Sequence, residues 1–340
     1  MGSLASSRRE ALRLLAGGGA AAFSTAALAQ RRAPYPGFKV EPDRELYVPV
    51  RGGRIYVRVN GSLDGPRAPL LMIHGGPGGD HVSFVTALPL ARQRGVILYD
   101  QLDSGLSDHP HDPANWTVER FVSEIDAIRE TLALKDLHIL GHSWGGTLAA
   151  EYASRQPPAL KSVVLQGAFL STTVWRQDAE RNIKALPARF GQTLARCDAA
   201  GYPDRDPDCT DATWTYYRSF NGRASAPAYV QSYFRTVAAR VRQPRGQGPD
   251  VYGYMWGKNE LNVTGTLKTY EGGGLLPKIA APALFLNGEF DEVTTEAARR
   301  FAAKTPRAEI VTTPGASHTI QFDAPDEYVR VLQTWLARHD

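Results

Sequence analysis

Leu137-His138-Ile139-Leu140-Gly141-His142-Ser143-Trp144-Gly145-Gly146 decides how the rest of the chain is read. A mostly apolar run ends in Gly141-x-Ser143-x-Gly145, and a stretch rich in alanine with helical spacing follows. A serine on a sharp strand-to-helix turn is held in a strained backbone conformation, with its hydroxyl projecting above the sheet. It also stands at the positive end of the following helix. The flanking glycines let neighbouring backbone approach closely. The motif alone is common; the strand before it and the helix after it make Ser143 a candidate nucleophile.

Outward from this turn the same rhythm repeats. Short apolar runs at 69–73, 95–99, 162–165 and 282–286 read as strands buried on both faces of a parallel sheet. Helical patterns at 118–132, 146–155, 295–303 and 326–338 separate most of them, which predicts an open, mostly parallel α/β sheet. Residues 45–50 and 54–60 alternate polar and apolar side chains around Gly52-Gly53, the pattern of a β-hairpin. Residues 31–43 are rich in proline and read as an extended arm. From about 171 to 271 the rhythm breaks into aromatic and arginine-rich helical segments without a clear buried strand. The expected organisation is a core made of 30–170 and 272–340, with 171–271 inserted as a helical cap over the active face.

Composition narrows the class. The chain has 340 residues, 43% hydrophobic and 22% charged, which is ordinary globular composition and long enough to bury a sizeable core. A net charge of +4 without a dense Lys/Arg block gives no reason to expect a nucleic-acid partner. Two cysteines exclude a disulfide framework and a cysteine-rich zinc fold. No apolar stretch of about 20 residues is available to span a membrane in the mature chain.

The first 29 residues have a separate meaning. Arg8-Arg9, the weakly apolar Ala/Gly-rich run 14–28 and the exit Ala27-Leu28-Ala29 read as a twin-arginine export signal cleaved after Ala29. Cleavage removes Arg8, Arg9, Arg13 and Glu10 and lowers the net charge from +4 to +2. The expected location is therefore the periplasm. In an oxidising compartment Cys197 and Cys209 can pair, and that disulfide is expected here.

Serine needs a base, and the base needs an orienting acid. In open-sheet enzymes of this kind the chain order is Ser, acid, His. His318 and His339 follow the late strands; His339 lies one residue from the C-terminus, whereas His318 sits on a loop after an apolar strand candidate at 309–311. His318 is the expected base. The acid comes from Gly288-Glu289-Phe290-Asp291-Glu292, with Asp291 preferred and Glu289 second. Backbone N–H groups of Gly75 or Gly76, in His74-Gly75-Gly76-Pro77-Gly78-Gly79, and of Trp144 are expected to form an oxyanion hole. That loop lacks the G-K-[ST] ending of a phosphate loop. His109, His111 and Asp112 stand close in sequence but match no metalloenzyme pattern, so they read as a solvated loop, and no metal or other cofactor is expected.

Four separated motifs together resemble the proline iminopeptidase family of α/β-hydrolase serine peptidases. They are the His74–Gly79 loop, the segment Asp100-Gln101-Leu102-Asp103-Ser104-Gly105-Leu106-Ser107, the elbow around Ser143, and the acid turn 288–294. The second resembles the family's D-Q-x-G-x-G-x-S, with Asp103 where glycine is usual. The resemblance implies an α/β-hydrolase fold with an inserted cap, and an acyl-enzyme route that releases an N-terminal residue, preferably proline, from small peptides or amides. Met255-Trp256-Gly257-Lys258-Asn259-Glu260-Leu261 further resembles the tricorn-interacting aminopeptidase and amino-acid amidase branch. There a glutamate of this motif holds the substrate's α-ammonium, which carries over to Glu260. Trp256, Tyr254 and Tyr252 are candidates to line the side-chain pocket.

One departure bears on substrate. The family commonly brings a second glutamate from the cap, yet between Thr210 and Gly257 the only acids are Asp211 and Asp250. A broader amino-acid amidase or an esterase is therefore the rival reading. A non-catalytic binding protein on the same scaffold is the rival of another class, and the Ser–Asp–His order argues against it.

Overall fold

The computed structural model describes residues 39–203, 206–241 and 250–340. The export-signal reading of 1–29 lies outside the described residues. β1 (Arg44–Val50) and β2 (Gly53–Asn60) form an antiparallel hairpin, in register from Arg44↔Val59 to Val50↔Gly53. β3 (Leu70–Ile73), β4 (Val96–Tyr99), β5 (Leu137–His142), β6 (Leu160–Gln166), β7 (Ala283–Gly288) and β8 (Ala308–Thr313) complete one sheet. Its order is β1-β2-β4-β3-β5-β6-β7-β8. β2 runs antiparallel to β4, and every pairing from β4 to β8 is parallel.

The strand runs are apolar because both faces are covered. Leu71, Ile73, Ile97, Ile139, Val163 and Leu165 face one core layer with α1 (Val118–Thr131) and α2 (Trp144–Ser154). Leu70, Met72, Leu98, Leu140, Val164 and Leu284 face the other, packed by α9 (Pro325–Arg338) and the segment 81–92. That segment carries no α-helical signature in the sequence. It is a succession of 3₁₀ turns with Pro89 inside, so its spacing is nearer three than 3.6.

Between β6 and β7 the chain leaves the sheet and forms α3 (Thr172–Ala185), α4 (Ala188–Ala199), α5 (Pro207–Tyr216), α6 (Ala228–Arg240) and α7 (Val251–Met255). Its two ends meet in an antiparallel bridge, Ser171↔Glu271, fastened by Thr172 N–H to Tyr270 O at 2.9 Å and Gly272 N–H to Leu170 O at 2.8 Å. A disulfide between Cys197 and Cys209, with Cα atoms 5.7 Å apart, joins α4 to α5. Among the described residues no helix is long and apolar enough to cross a membrane.

Candidate active site

The site is assembled where the parallel strands end, which is where open α/β sheets place their chemistry. Ser143 follows β5 directly and adopts φ 56°, ψ −121°. That region is costly for any residue with a side chain, by about 1–3 kcal/mol. It stands at the N-cap of α2, yet its hydroxyl makes no capping hydrogen bond, unlike Thr117 and Thr294, which cap α1 and α8 (Thr295–Ala302). Neighbouring contacts hold the strain in place: Ser143 N–H donates to Gln166 O at 2.9 Å, and Ser143 O accepts from Phe169 N–H at 3.1 Å. Gly145 is forced by close approach, since a β-carbon there would fall 2.1 Å from Ile73 O.

The expected base and acid arrive from the ends of β8 and β7. His318 Nδ1 lies 2.7 Å from Asp291 Oδ1, and both side chains are buried. Asp291 also accepts Val293 N–H at 3.1 Å and Gly288 N–H at 3.2 Å, which fixes the orientation of the carboxylate against the ring. Glu289, the second choice from sequence, is exposed and accepts Gly315 N–H instead. His142 Nε2 lies 3.0 Å from the carbonyl of His318, so the base loop is tied to the residue beside Ser143.

The insertion completes this loop. Residues Tyr217–Asn221 form a π-helical turn, whose Phe220 and Asn221 carbonyls accept the N–H groups of His318 (3.0 Å) and Thr319 (2.9 Å). Asp178 of α3 accepts both Thr294 N–H and Thr294 Oγ1–H, fixing the turn that carries Asp291.

Gly167 is a residue that no motif signals. A β-carbon there would lie 2.7 Å from His318 Nδ1 and 3.1 Å from Asp291 Oδ2, and its φ is +47°. Gly167→Ala is expected to push the His–Asp pair aside and lower kcat by about 10²-fold or more, the cost of a displacement near 1 Å. Steady-state rates, with circular dichroism to establish an intact fold, check this. A wild-type kcat would mean that the pair yields without consequence.

The glycine loop and the elbow are locked together by Gln101. Its side-chain NH₂ donates to His74 O at 2.9 Å, and its Oε1 accepts Trp144 Nε1–H at 2.9 Å. Gln101 N–H donates to His74 Nε2 at 3.0 Å, while His74 Nδ1 lies 2.8 Å from Gly75 O, which together define the neutral ring with its proton on Nδ1. Gly75 is the loop residue against the serine, since a β-carbon there would lie 3.0 Å from Ser143 Cβ.

Burial pushes the pKa of His74 down to about 4, and does the same to His138, which sits in β5 against Ser162 and Asp340. A lowered histidine pKa means that the neutral ring stabilises the fold fully above the ordinary value of 6.5. That contribution is lost as pH falls through about 4. Each ring supplies up to about 3 kcal/mol. Tm is therefore expected to fall steadily between pH 6.5 and pH 4, less steeply in His138→Gln. A flat Tm across that interval would contradict the assignment.

Two buried glutamates accompany the triad-like group. Glu292, next to Asp291, has Oε2 at 3.8 Å from His318 Nε2 and accepts Asn221 Nδ2–H at 2.7 Å. In the sequence Glu292 is one of three carboxylates that compete for the acid role; only the turn shows that its side chain and that of Asp291 reach opposite nitrogens of one imidazole. Glu260 is also buried; its carbonyl accepts Trp175 Nε1–H at 2.7 Å and its N–H donates to the Tyr217 hydroxyl at 3.2 Å.

Trp175 stands edge-on to His318, with ring centroids 5.8 Å apart, and packs on Phe169 (5.7 Å) and Trp256 (5.1 Å). Trp256 is thus one ring behind the site, with Tyr252 stacked beside it. Tyr254, expected with them, is instead 42% exposed and meets Trp116 at 5.3 Å. On the short helix α7 it points away from the face that carries Tyr252 and Trp256. Trp175 and Phe169 had no motif to announce them, since their place depends on how the insertion folds back over β6.

Known proteins place this arrangement. Residues 68–325 match the α/β hydrolase fold family. A proline iminopeptidase of Heyndrickxia coagulans is 35% identical over 294 residues, covering 86% of this chain and 98% of that protein. The crystal structure of proline iminopeptidase from Mycobacterium smegmatis superposes with a TM-score of 0.78 at 32% identity, covering 87% of this chain and 98% of that one. The structure of VinJ superposes with a TM-score of 0.79 at 28% identity, covering 88% of this chain and all of that one. Sheet order, strand-end chemistry and likeness along nearly the whole described chain agree: the protein belongs to the α/β hydrolases and, among them, to the proline iminopeptidase family.

Proposed function

We propose that the protein is a serine exopeptidase that releases an N-terminal residue, preferably proline, from small peptides or amides. Ser143 Oγ attacks the scissile carbonyl as its proton passes to His318 Nε2. Asp291 accepts the Nδ1–H bond and stabilises the imidazolium without taking the proton. The N–H groups of Trp144, at the positive end of α2, and of Gly75 or Gly76 receive the oxyanion. The imidazolium then protonates the departing amine, leaving an ester between Ser143 and the N-terminal residue. Water, deprotonated by His318, attacks that ester and frees the amino acid and the serine.

The observation that carries the substrate class is Glu292, buried and 3.8 Å from His318 Nε2. A buried carboxyl group this close to the base nitrogen disfavours esters and acylated amides, which bring no group to pair with it once water is excluded. It becomes useful when the substrate brings a cation. Glu292 and Glu260 are the groups proposed to hold the free ammonium, which fixes how far the chain enters and makes the enzyme cleave after one residue. Trp175 and Phe169 offer the flat apolar wall that a pyrrolidine ring fits.

Rates on proline amide, other amino-acid amides, their N-acetylated forms and a short-chain ester test the reading. Fast cleavage of proline amide that disappears on acetylation is expected. Equal turnover of acetylated substrates would leave the nucleophile standing and remove the aminopeptidase assignment.

The proposed setting is the periplasm, reached through the twin-arginine signal, and the Cys197–Cys209 disulfide supports an oxidising compartment. The exported protein is expected to begin at Gln30, which N-terminal sequencing of a periplasmic fraction checks. A cytoplasmic protein that retains its first residues would refute export.

A further inference from the structure

The segment Asp103–Asp112 follows β4, well across the sheet from β8, which His318 follows, and it contains a grouping that sequence spacing did not suggest. Asp112, which sequence reading grouped with the two histidines, is occupied elsewhere: its Oδ1 accepts Ala114 N–H at 3.0 Å and caps a short 3₁₀ turn. In its place the fold supplies Asp103. One ligand atom each from Asp103, His109 and His111 lie within 4.8 Å of one another.

We propose that Asp103, His109 and His111 form a divalent transition-metal site, with Zn²⁺ the best fit, separate from the serine centre. Two imidazoles and one carboxylate are the donor set of a tetrahedral zinc site with one position left for water. In such a site donors stand about 3.3 Å apart, so the present group is slightly open. His109 and His111 are only partly buried, which leaves their rings room to turn inward when a cation binds.

The surroundings are those a metal site needs. Trp116 Nε1–H donates to Asp103 Oδ2 at 2.7 Å, and His111 N–H donates to Asp103 Oδ1 at 2.9 Å, so the carboxylate is oriented by outer partners. His109 Nε2 lies 3.1 Å from Gly105 O, and with the proton there the lone pair rests on Nδ1. An outer hydrogen bond from one ring nitrogen to a carbonyl is how ligating histidines are usually held. His111 Nδ1 faces Asp103 Oδ1 at 3.9 Å.

Backbone geometry explains why the position stands out in the sequence. Asp103 has φ 62° and His111 φ 54°, both left-handed. Glycine, the residue usual at 103 in the resembling motif, adopts that conformation without cost, whereas a side chain there costs about 1 kcal/mol. The same conformation aims the Asp103 carboxylate at the two imidazoles. Imidazole and carboxylate donors favour late first-row cations over Ca²⁺ or Mg²⁺, which take oxygen ligands.

The test is titration of chelator-treated protein with Zn²⁺ by calorimetry and with Co²⁺ by visible absorption. The wild type is expected to bind one equivalent and to show the intense d–d bands of tetrahedral Co²⁺. Asp103→Asn, which tolerates the left-handed backbone, and His109→Ala are each expected to weaken binding at least tenfold while metal-free peptidase activity is kept. Blocking Ser143 with a covalent serine reagent is expected to leave binding in place. Absent binding, unchanged affinity in both variants, or loss of binding on blocking Ser143 would each overturn the site. None of these outcomes bears on the peptidase reading, which the substrate panel tests by itself.

Discussion

Ser143→Ala is expected to lower kcat on prolyl amides on the order of 10⁴-fold or more, the loss seen when a nucleophile acting as one unit with its base is removed. The more informative partner is Ser143→Gly. The wild-type backbone at φ 56°, ψ −121° is strained for any side chain, so alanine inherits the strain and glycine relieves it. The glycine variant is therefore expected to be equally inactive yet more stable than wild type by about 1 kcal/mol or more. Thermal unfolding of the three proteins together with single-turnover rates checks this. Retained turnover in either variant would remove Ser143 as nucleophile, and a less stable glycine variant would show that the elbow is not a strain reservoir.

Glu292→Gln is the second large effect. Losing one member of a desolvated charge pair typically costs about 2–5 kcal/mol, so kcat/KM on free-amine substrates is expected to fall roughly 30-fold to 1000-fold or more. Glu260→Gln is expected to fall in the same range. The decisive feature is direction: turnover of N-acetylproline amide is expected to stay level in Glu292→Gln, because that substrate brings no ammonium for the carboxyl group 3.8 Å from His318 Nε2 to hold. A parallel fall on both substrate types would mean that Glu292 positions His318 rather than binding an ammonium.

The two glutamates show why one residue of the pair was legible and the other was not. Glu260 sits inside a recognisable run, Trp256-Gly257-Lys258-Asn259-Glu260-Leu261, and position in a motif marked it. Glu292 is one residue beyond the acid, outside the insertion from which the resembling family brings its second glutamate, and 211–256 of that insertion holds none. The turn after β7 sends Asp291 to Nδ1 and Glu292 toward Nε2 of the same ring. Adjacent residues reaching opposite sides of one imidazole is a consequence of turn geometry, and no spacing rule encodes it.

Local physics accounts for what could be read in advance. Strands covered on both faces must be apolar along their whole length, and an elbow so close to β3 that a β-carbon at 145 would fall 2.1 Å from Ile73 O must carry glycine there, so both leave marks in the amino-acid order. Catalytic order along the chain did the same for Asp291 and His318. The 3₁₀ segment 81–92 left no mark, because its period and Pro89 match neither template.

Three-dimensional packing settled the rest. Gly167 is required by a histidine 151 positions later in the chain, Trp175 by the way α3 returns over β6, and Asp103 joins His109 and His111 only because its backbone turns left-handed. Side chains that touch solvent, a neighbouring turn or their own strand carry their reason in nearby residues. Side chains whose reason is a partner brought from a distant segment acquire it only when the chain has folded.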